Sequence, residues 1–244
     1  MTDSLQRTWA VAKKEIYSYS ISPAFYGIAI FFLLFTSIWL FVLQRFFMAN
    51  TASLRAYFAA FPLAFIGVIP ALTMKSWAEE RKTGSIELLI TLPFSEWNVT
   101  LGKFIAALVA VAVMFVFSLP VPFTLLPLGN FDGGVIFAEY IGALLLAASA
   151  IALGLLFSAL SKNQAGAFLA SAVVLVFFML ASQIPWVTNL PAWLAEAIKF
   201  LSLSYHFESF SKGLLDSRDL VFFILSSFLF LFINTRIILF RKWR

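Results

Sequence analysis

Hydrophobic residues in this chain are grouped into six long runs separated by short polar segments. The runs lie at roughly residues 23–43, 57–74, 99–128, 136–160, 165–184 and 220–239. About 20 consecutive apolar residues suffice for a helix to cross the hydrocarbon core of a bilayer, whereas a membrane barrel shows short alternating strands. The pattern predicts an all-α integral membrane protein with six transmembrane helices. The third run is overlong, so we expect it to be tilted or broken near Pro120 and Pro122.

Residues 1–22, which precede the first run, have a helical pattern of their own. Apolar residues recur there every three or four positions, and basic residues lie on another face. The apolar stripe consists of Leu5, Trp9, Ala12, Ile16 and Tyr19. A basic amphipathic helix with aromatic residues lies flat at the level of the lipid head groups. We therefore predict an interfacial helix over residues 1–22, and no cleavable signal peptide because an apolar core is missing there.

Composition agrees with a membrane protein. The chain is 62% hydrophobic and 12% charged, whereas soluble domains contain about 25% charged residues. Six spans leave no room for a soluble domain, so we predict one transmembrane domain over residues 1–244. The sequence contains no cysteine and one histidine, which excludes disulfides and thiolate metal sites and predicts no metal centre.

Basic residues are distributed unevenly between the two sets of loops. If both termini lie on one side, that side holds twelve lysines and arginines and the other side holds five. Under the positive-inside rule this bias predicts that both termini are cytoplasmic. The basic residues are dispersed along the membrane edges, so we expect a lipid membrane and not a nucleic acid as their partner.

The segment 75–98, between the second and third runs, is the longest charged loop near the start of the chain. The second run is predicted to continue as a helix that ends at Gly84. Ser85 can cap a new helix, with Glu87 in its first turn, where the helix dipole favours a carboxylate. Pro93 ends this helix after about two turns, a length that is marginal in water.

The short helix carries an apolar face made by Ile86, Leu89 and Ile90. A helix of this length needs a surface to pack on. Two alternatives remain from the residues alone. The helix either packs on the protein's own bundle or the membrane surface, or it docks into a partner protein.

The segment 185–219 precedes the last run and is too polar to cross the membrane as a whole. Asn189 and Pro191 predict a helix start, and a second helix is predicted over 204–212, with Phe207 and Phe210 inward and Gly213 at its end. This segment is interpreted either as a structural lid over the bundle or as a gate or platform for an extracytoplasmic partner. For His206 we predict a hydrogen-bonded structural role.

Two strings resemble a known family. The first, EERKTGSIELLITLP, resembles the signature of ABC-2 type permeases, and the second, SLSYHFESFSKGLLDSRDL, is similar to the segment before the last span in the gliding-motility (GldF-like) branch. The positions that match the first signature are Glu79, Glu80, Arg81, Gly84, Ser85, Glu87, Leu89 and Pro93.

The resemblance implies that the protein lies in a bacterial inner membrane and that the loop 75–98 is a coupling region that docks into a separate ABC ATPase. It implies two ATPase subunits, which bind ATP and Mg, and a second permease that is either another copy or a sister chain, with no cofactor on this chain. The ATPase-coupling residues would be Glu79, Glu80, Arg81, Gly84, Ser85, Ile86, Glu87, Leu89, Ile90 and Pro93. An extracytoplasmic gate or partner contact would use Tyr205, His206, Phe207, Phe210, Gly213, Asp216, Arg218 and Asp219.

The resemblance and the residues together predict a function. The chain has no phosphate-binding loop of the G-x-x-x-x-G-K-[ST] type and no charged residue near the middle of a span, so that energy has to come from another subunit. We predict the permease subunit of an ATP-driven exporter, which is not an enzyme by itself. The alternative is a mechanical transmitter that drives an extracytoplasmic partner without transport. An intramembrane hydrolase of the rhomboid type would require a G-x-S-x-G serine and a membrane histidine, and the chain has neither.

The predicted topology can be tested with single cysteines at Ser4, Asn130, Asn163 and Ser217. A membrane-impermeant thiol reagent added outside should label only the cysteines at Asn130 and Ser217, because these positions lie in loops on the side with fewer basic residues. Labelling at Ser4 from outside would overturn the topology.

Overall fold

The computed structural model describes residues 2–49, 53–84, 95–184 and 191–242, and every regular element in these ranges is helical. Six helical segments are long and apolar enough to cross a membrane, which confirms the fold class predicted from the hydrophobic runs. They are span 1 (Pro23–Met48), span 2 (Arg55–Lys82), span 3 (Glu96–Leu128), span 4 (Gly133–Leu160), span 5 (Gln164–Gln183) and span 6 (Ser217–Phe240).

Several spans contain a break in the helix. Span 3 is an α-helix over Glu96–Ser118, which is followed by a second helix, Pro120–Leu125, and a 3-10 turn, Leu126–Leu128. A proline lacks the N–H that would continue the hydrogen-bond ladder, so the interruption that we expected near Pro120 is present.

The other helices have the following bounds. Span 1 comprises Pro23–Ile38, a π-helical turn at Trp39–Leu43 and Phe46–Ala49. Span 2 comprises Arg55–Phe58, Ala60–Thr73 and Lys75–Lys82. Span 5 is Gln164–Leu180 with a 3-10 turn at Ala181–Gln183, and the helix of span 6 continues to Lys242. Two short helices, Ala192–Phe200 and Leu203–Ser211, precede span 6.

The N-terminal helix, Thr2–Ile21, packs along the first half of span 3. Thr8 and Ala12 are buried at this contact. The approach is close because span 3 carries Gly102 there: a Cβ atom at that glycine would lie 2.7 Å from the Cβ of Val11. The helix predicted for residues 1–22 is therefore present and is attached to the bundle.

The apolar stripe of this helix is divided between two surfaces. Ala12 faces span 3, whereas Leu5 and Trp9 are 71% and 58% exposed. Periodicity placed these residues on one stripe, but the packing contact follows a neighbouring line through Thr8 and Ala12. Leu5 and Trp9 therefore remain available to enter a lipid surface, as the apolar residues of interfacial helices do.

Span 4 is the centre of the bundle and packs against spans 2, 3, 5 and 6. Small residues allow its neighbours to approach closely. A Cβ atom at Gly154 would lie 2.3 Å from the Thr73 Oγ1 of span 2, and one at Gly142 would lie 2.4 Å from the ring of Phe210. The density of small residues seen in the sequence of span 4 thus corresponds to close helix contacts.

The bundle has two ends, which we call the terminal side and the opposite side. The terminal side holds the N-terminal helix and the charged helix, Lys75–Lys82, together with the turn that follows span 4. The opposite side holds the helices Ala192–Phe200 and Leu203–Ser211.

The contact at Gly154 predicts the effect of adding one methyl group. Gly154→Ala should lower the free energy of unfolding by about 1–3 kcal/mol, because overpacking at a tight contact forces a shift. Thr73 cannot move aside easily, since its hydroxyl donates to the carbonyl of Ile69 at 2.8 Å. Thermal melting of the purified chain in detergent measures the effect.

The matched control is Gly27→Ala. Gly27 also lies inside a helix, but a Cβ atom there meets nothing within 4 Å. Alanine should leave the melting temperature unchanged or raise it, since it is the better helix former by about 1 kcal/mol. Equal melting shifts for both variants would contradict the close contact at Gly154.

Candidate functional site

The charged helix, Lys75–Lys82, begins after a break in span 2 at Met74. The first amides of a helix have no partner within it. Here the backbone amides of Trp77 and Ala78 donate to the Ser158 hydroxyl of span 4, at 3.1 and 3.4 Å, and that hydroxyl donates to the carbonyl of Met74 at 3.1 Å. Span 4 therefore caps the start of the charged helix.

Arg81 makes the reciprocal contact with the end of span 4. One guanidinium nitrogen, Nη1, donates to the carbonyl of Ser161 at 2.5 Å, and Nη2 donates to the carbonyl of Ala159. The last carbonyls of a helix lack intrahelical partners, and a cation is favourable at that end of the helix dipole. Arg81 thus caps span 4 from the charged helix.

Lys103 of span 3 is the centre of a buried ion cluster, with 2% of its side chain exposed. Its ammonium group lies 3.0 Å from Oε1 of Glu15 and 2.7 Å from Oε1 of Glu80, and 5.0 Å from the ring centre of Trp77. The cluster joins three segments: the N-terminal helix, the charged helix and span 3. The sequence pattern gives no sign of this cluster, because Lys103 lies 88 residues from Glu15 and 23 residues from Glu80.

A hydrogen bond also ties the N-terminal helix to span 2. The Tyr19 hydroxyl donates to the carbonyl of Leu72 at 3.3 Å. Burial raises the pKa of this hydroxyl above its usual range, so that it remains a donor at all physiological pH values.

The predicted coupling residues are divided by the structure into three groups. Glu80 and Arg81 are directed into the protein's own bundle, whereas Glu79 is exposed. Gly84 follows the end of the charged helix with a φ of +71°, as its predicted role requires. The remaining residues lie outside the described residues: Ser85, Ile86, Glu87, Leu89, Ile90 and Pro93.

The chain re-enters the described structure at Ser95. The side-chain oxygen of Ser95 accepts a hydrogen bond from the amide of Trp97 at 3.3 Å, which caps the helix of span 3. The restart of a helix at this position agrees with the sequence. The ten residues 85–94 therefore connect two helix ends that are both anchored to the bundle.

On the opposite side, His206 is buried between the short helices and span 6. Its Nδ1 atom lies 2.6 Å from Oδ1 of Asp219, and its Nε2 atom lies 2.9 Å from the carbonyl oxygen of Phe200. The ring stacks on Phe222 with 3.7 Å between centroids. Both ring nitrogens are engaged within the chain, which agrees with the structural role predicted for this histidine.

The predicted gate residues also divide into a buried and an accessible group. Phe207 and Phe210 point inward as predicted, and Gly213 ends the helix with a φ of +74°. Since His206, Phe207, Phe210 and Asp219 are all buried, they attach the segment to the bundle and cannot touch an external partner in this conformation. The residues left at least partly accessible are Tyr205, Gly213, Asp216 and Arg218.

Glu139, to which no sequence pattern assigns a role, lies in the second turn of span 4. Its residue surface is 1% exposed, and neither carboxylate oxygen has a hydrogen-bond partner among the described residues. Nearby, the Nε of Arg55 donates to the carbonyl of Ser211 at 2.6 Å. Within the described ranges, no group of three or more histidine, aspartate or glutamate residues lies close enough together to hold a metal ion.

Comparison with known proteins places this architecture in a family. Residues 9–206 match the family model described as "ABC-2 family transporter protein". The chain belongs to the ABC-2 transporter family. The name of the family describes proteins of ABC transporters. The matched region of this ABC-2 protein includes both the ion cluster at Lys103 and the charged helix.

Individual relatives are more distant. The chain is 27% identical over 158 residues to "Probable multidrug ABC transporter permease YbhR" of Escherichia coli, in strain K12 and in O157:H7. The match covers 60% of this chain and 39% of the relative's length. These comparisons show the ABC-2 family but no branch of it. The resemblance of Ser202–Leu220 to the gliding-motility branch stays a prediction.

The ion cluster leads to a prediction about stability. Lys103→Met should destabilise the chain by about 3–5 kcal/mol, because it leaves Glu15 and Glu80 facing each other without their cation. Thermal melting in detergent measures the loss. The triple variant Lys103→Met/Glu15→Gln/Glu80→Gln is the control, and it should recover much of the stability because no unpaired charge remains. A single variant that melts like the wild type would contradict the cluster.

Proposed function

We propose that the chain is the permease subunit of an ATP-driven exporter and that residues 85–94 dock into the ATPase subunit. The observation that carries this proposal is the attachment of the charged helix, which leads directly into that segment. Ser158, Arg81 and Lys103 join this helix to spans 4 and 3 and to the N-terminal helix. A displacement of the docked segment would therefore act on the whole terminal side of the bundle.

In this proposal the positions that match the ABC-2 signature have two different tasks. Glu80 and Arg81 position the coupling segment through contacts within the chain, whereas the apolar face of Ile86, Leu89 and Ile90 is available to the ATPase. The terminal side is cytoplasmic in this arrangement, which accords with the twelve-to-five distribution of basic residues.

The complete transporter in this proposal contains two permeases and two ATPases, which bind ATP and Mg. The second permease is another copy of this chain or a sister chain. Large apolar side chains are exposed along span 1, at Ile30, Phe31 and Leu34, and along span 5, at Leu169 and Val173, so that both spans are free to contact lipid or a second permease. Spans without charged residues at mid-depth favour an apolar or amphipathic substrate.

The docking proposal is tested with Leu89→Ser/Ile90→Ser. Burial of a leucine or isoleucine side chain is worth about 1.5–3 kcal/mol. Loss of both should weaken ATPase binding a hundredfold or more, at about 1.4 kcal/mol per tenfold change. Binding of the purified ATPase to the permease in nanodiscs measures the change.

The control is Leu214→Ser/Leu215→Ser, a pair of exposed leucines on the opposite side, which should leave ATPase binding unchanged. Thermal melting of the permease alone is measured on both variants. A melting shift in Leu89→Ser/Ile90→Ser with wild-type ATPase affinity would show that this face packs on the permease itself and would overturn the docking proposal.

A second prediction concerns charge at the same segment. Glu87→Lys should lower ATPase stimulation without unfolding the permease, since opposing the helix dipole changes stability by only about 0.3–1 kcal/mol while the charge of the docking surface is reversed. Glu196→Lys, at an exposed glutamate of the opposite side, is the control. Wild-type stimulation in Glu87→Lys would count against the docking assignment.

A second function, mechanical transmission to an extracytoplasmic partner, is favoured by the attachment of the opposite-side helices. His206 binds Asp219 of span 6, and Phe210 packs on Gly142 of span 4. The helix Ala192–Phe200 buries none of its residues, and Trp193 is 71% exposed. Reconstituted complexes separate the two functions: ATP-dependent movement of an amphipathic dye across the membrane supports export, and ATP hydrolysis without movement of any tested compound supports transmission.

A further inference from the structure

A cavity of about 230 Å³ lies on the terminal side, where the N-terminal helix, the start of span 1 and the charged helix meet. Its wall has an apolar half, which is supplied by spans 1 and 2, and a polar half, which is supplied by the two helices at the bundle end and by Lys103 of span 3. The apolar half consists of Ala24, Phe25, Ile28, Ala71 and Leu72. This division suits an amphipathic ligand, with an apolar part and a polar part.

The polar half is balanced in charge. It contains three lysines and three glutamates, which are Lys14, Lys75, Lys103, Glu15, Glu79 and Glu80. The buried ammonium of Lys103 is already engaged by two of the carboxylates. Lys14, Lys75 and Glu79 are exposed, and their side chains make no ion pair or hydrogen bond with other described residues. The cavity therefore offers two cations and one carboxylate to a ligand.

We propose that this cavity binds the phosphoethanolamine head group of a phospholipid from the surrounding bilayer. The phosphate lies between the ammonium groups of Lys14 and Lys75, and the ammonium of the head group donates hydrogen bonds to the Glu79 carboxylate. Both contacts are charge-assisted hydrogen bonds, which are the stronger kind. The apolar half of the cavity accepts the first carbons of an acyl chain.

The charges of the cavity select among lipid head groups. An anionic head group, such as phosphoglycerol, satisfies the two lysines but leaves Glu79 facing a negative ligand without a cation. A trimethylammonium head group has the right charge but no N–H with which to donate to Glu79. A primary ammonium satisfies all three side chains, so the preferred ligand is a zwitterion with a primary amine.

The bound head group would link two elements that are attached separately to the bundle. Lys14 belongs to the N-terminal helix, and Lys75 and Glu79 belong to the charged helix. The lipid thus adds a contact outside the buried cluster of Lys103 with Glu15 and Glu80, on the exposed side of the same junction.

The full chain in detergent is titrated with dioleoyl phosphatidylethanolamine, phosphatidylcholine and phosphatidylglycerol, and bound lipid is counted by native mass spectrometry. The ethanolamine lipid should bind about tenfold tighter than the choline lipid, the difference expected for one charge-assisted hydrogen bond. Glu79→Gln should remove most of this preference. Lys14→Ala/Lys75→Ala should weaken binding of the ethanolamine lipid at least tenfold.

Lys13→Ala/Lys82→Ala is the matched control, because it removes two exposed lysines from the same two helices outside the cavity. It should retain both the affinity and the head-group preference. Equal effects of the two double variants would show unspecific surface attraction and overturn the proposal, as would equal binding of the three lipids by the wild type. All exchanged residues are exposed; if a double variant failed to fold, Glu79→Gln alone would decide the head-group preference.

Two further measurements distinguish other occupants. Soluble O-phosphoethanolamine should compete only weakly, since it lacks the acyl chain that the apolar half receives, and competition equal to that of the lipid would overturn a bilayer source. If Lys14→Ala/Lys75→Ala retained lipid binding but lost the ATPase, the cavity would be part of a protein interface and the lipid proposal would be wrong.

Discussion

The terminal side depends on one constraint, which is that backbone groups at helix ends need hydrogen-bond partners where they are buried in the protein and out of reach of water. The break in span 2 leaves free amides, and the end of span 4 leaves free carbonyls. Ser158 of span 4 accepts from the former, and Arg81 of span 2 donates to the latter. Each helix satisfies polar groups of the other, and separation would leave both unpaired at about 1–3 kcal/mol for each buried group. The charged helix is for this reason an extension of the bundle and not a separate loop.

The ion cluster at Lys103 acts on the same junction in a different way. Buried ion pairs add little net stability, because desolvation offsets much of the attraction, but breaking one is costly. Lys103 therefore contributes more to the orientation of the N-terminal helix and the charged helix on span 3 than to the free energy with which they bind it. Glycine at position 102 is the steric counterpart, since it lets the N-terminal helix approach close enough for Glu15 to reach the ammonium.

The sequence predicts what depends on local pattern. The six spans follow from run length, the helix ends at Gly84 and Gly213 from the left-handed backbone that glycine adopts, and the break in span 3 from its prolines. It does not show which way Glu80 and Arg81 point, because charged residues after a span are usually solvated and their partners here lie 23 and about 80 residues away. In the same way, periodicity placed Leu5 and Ala12 on one stripe but could not show that only Ala12 meets a neighbour.

Span 4 connects the two ends at which partners are proposed. It is a continuous helix of 28 residues, about 42 Å long at the ~1.5 Å rise of an α-helix, so it is longer than the hydrocarbon core and reaches both membrane surfaces. Ser158 near one end holds the charged helix, and Gly142 near the other receives the ring of Phe210. Because both contacts are buried, a tilt of span 4 as a rigid body moves the charged helix and the opposite-side helix together. Both proposed functions, export and mechanical transmission, would use this same element. Export would require in addition that the tilt separate span 4 from its lipid-facing neighbours far enough to admit a substrate.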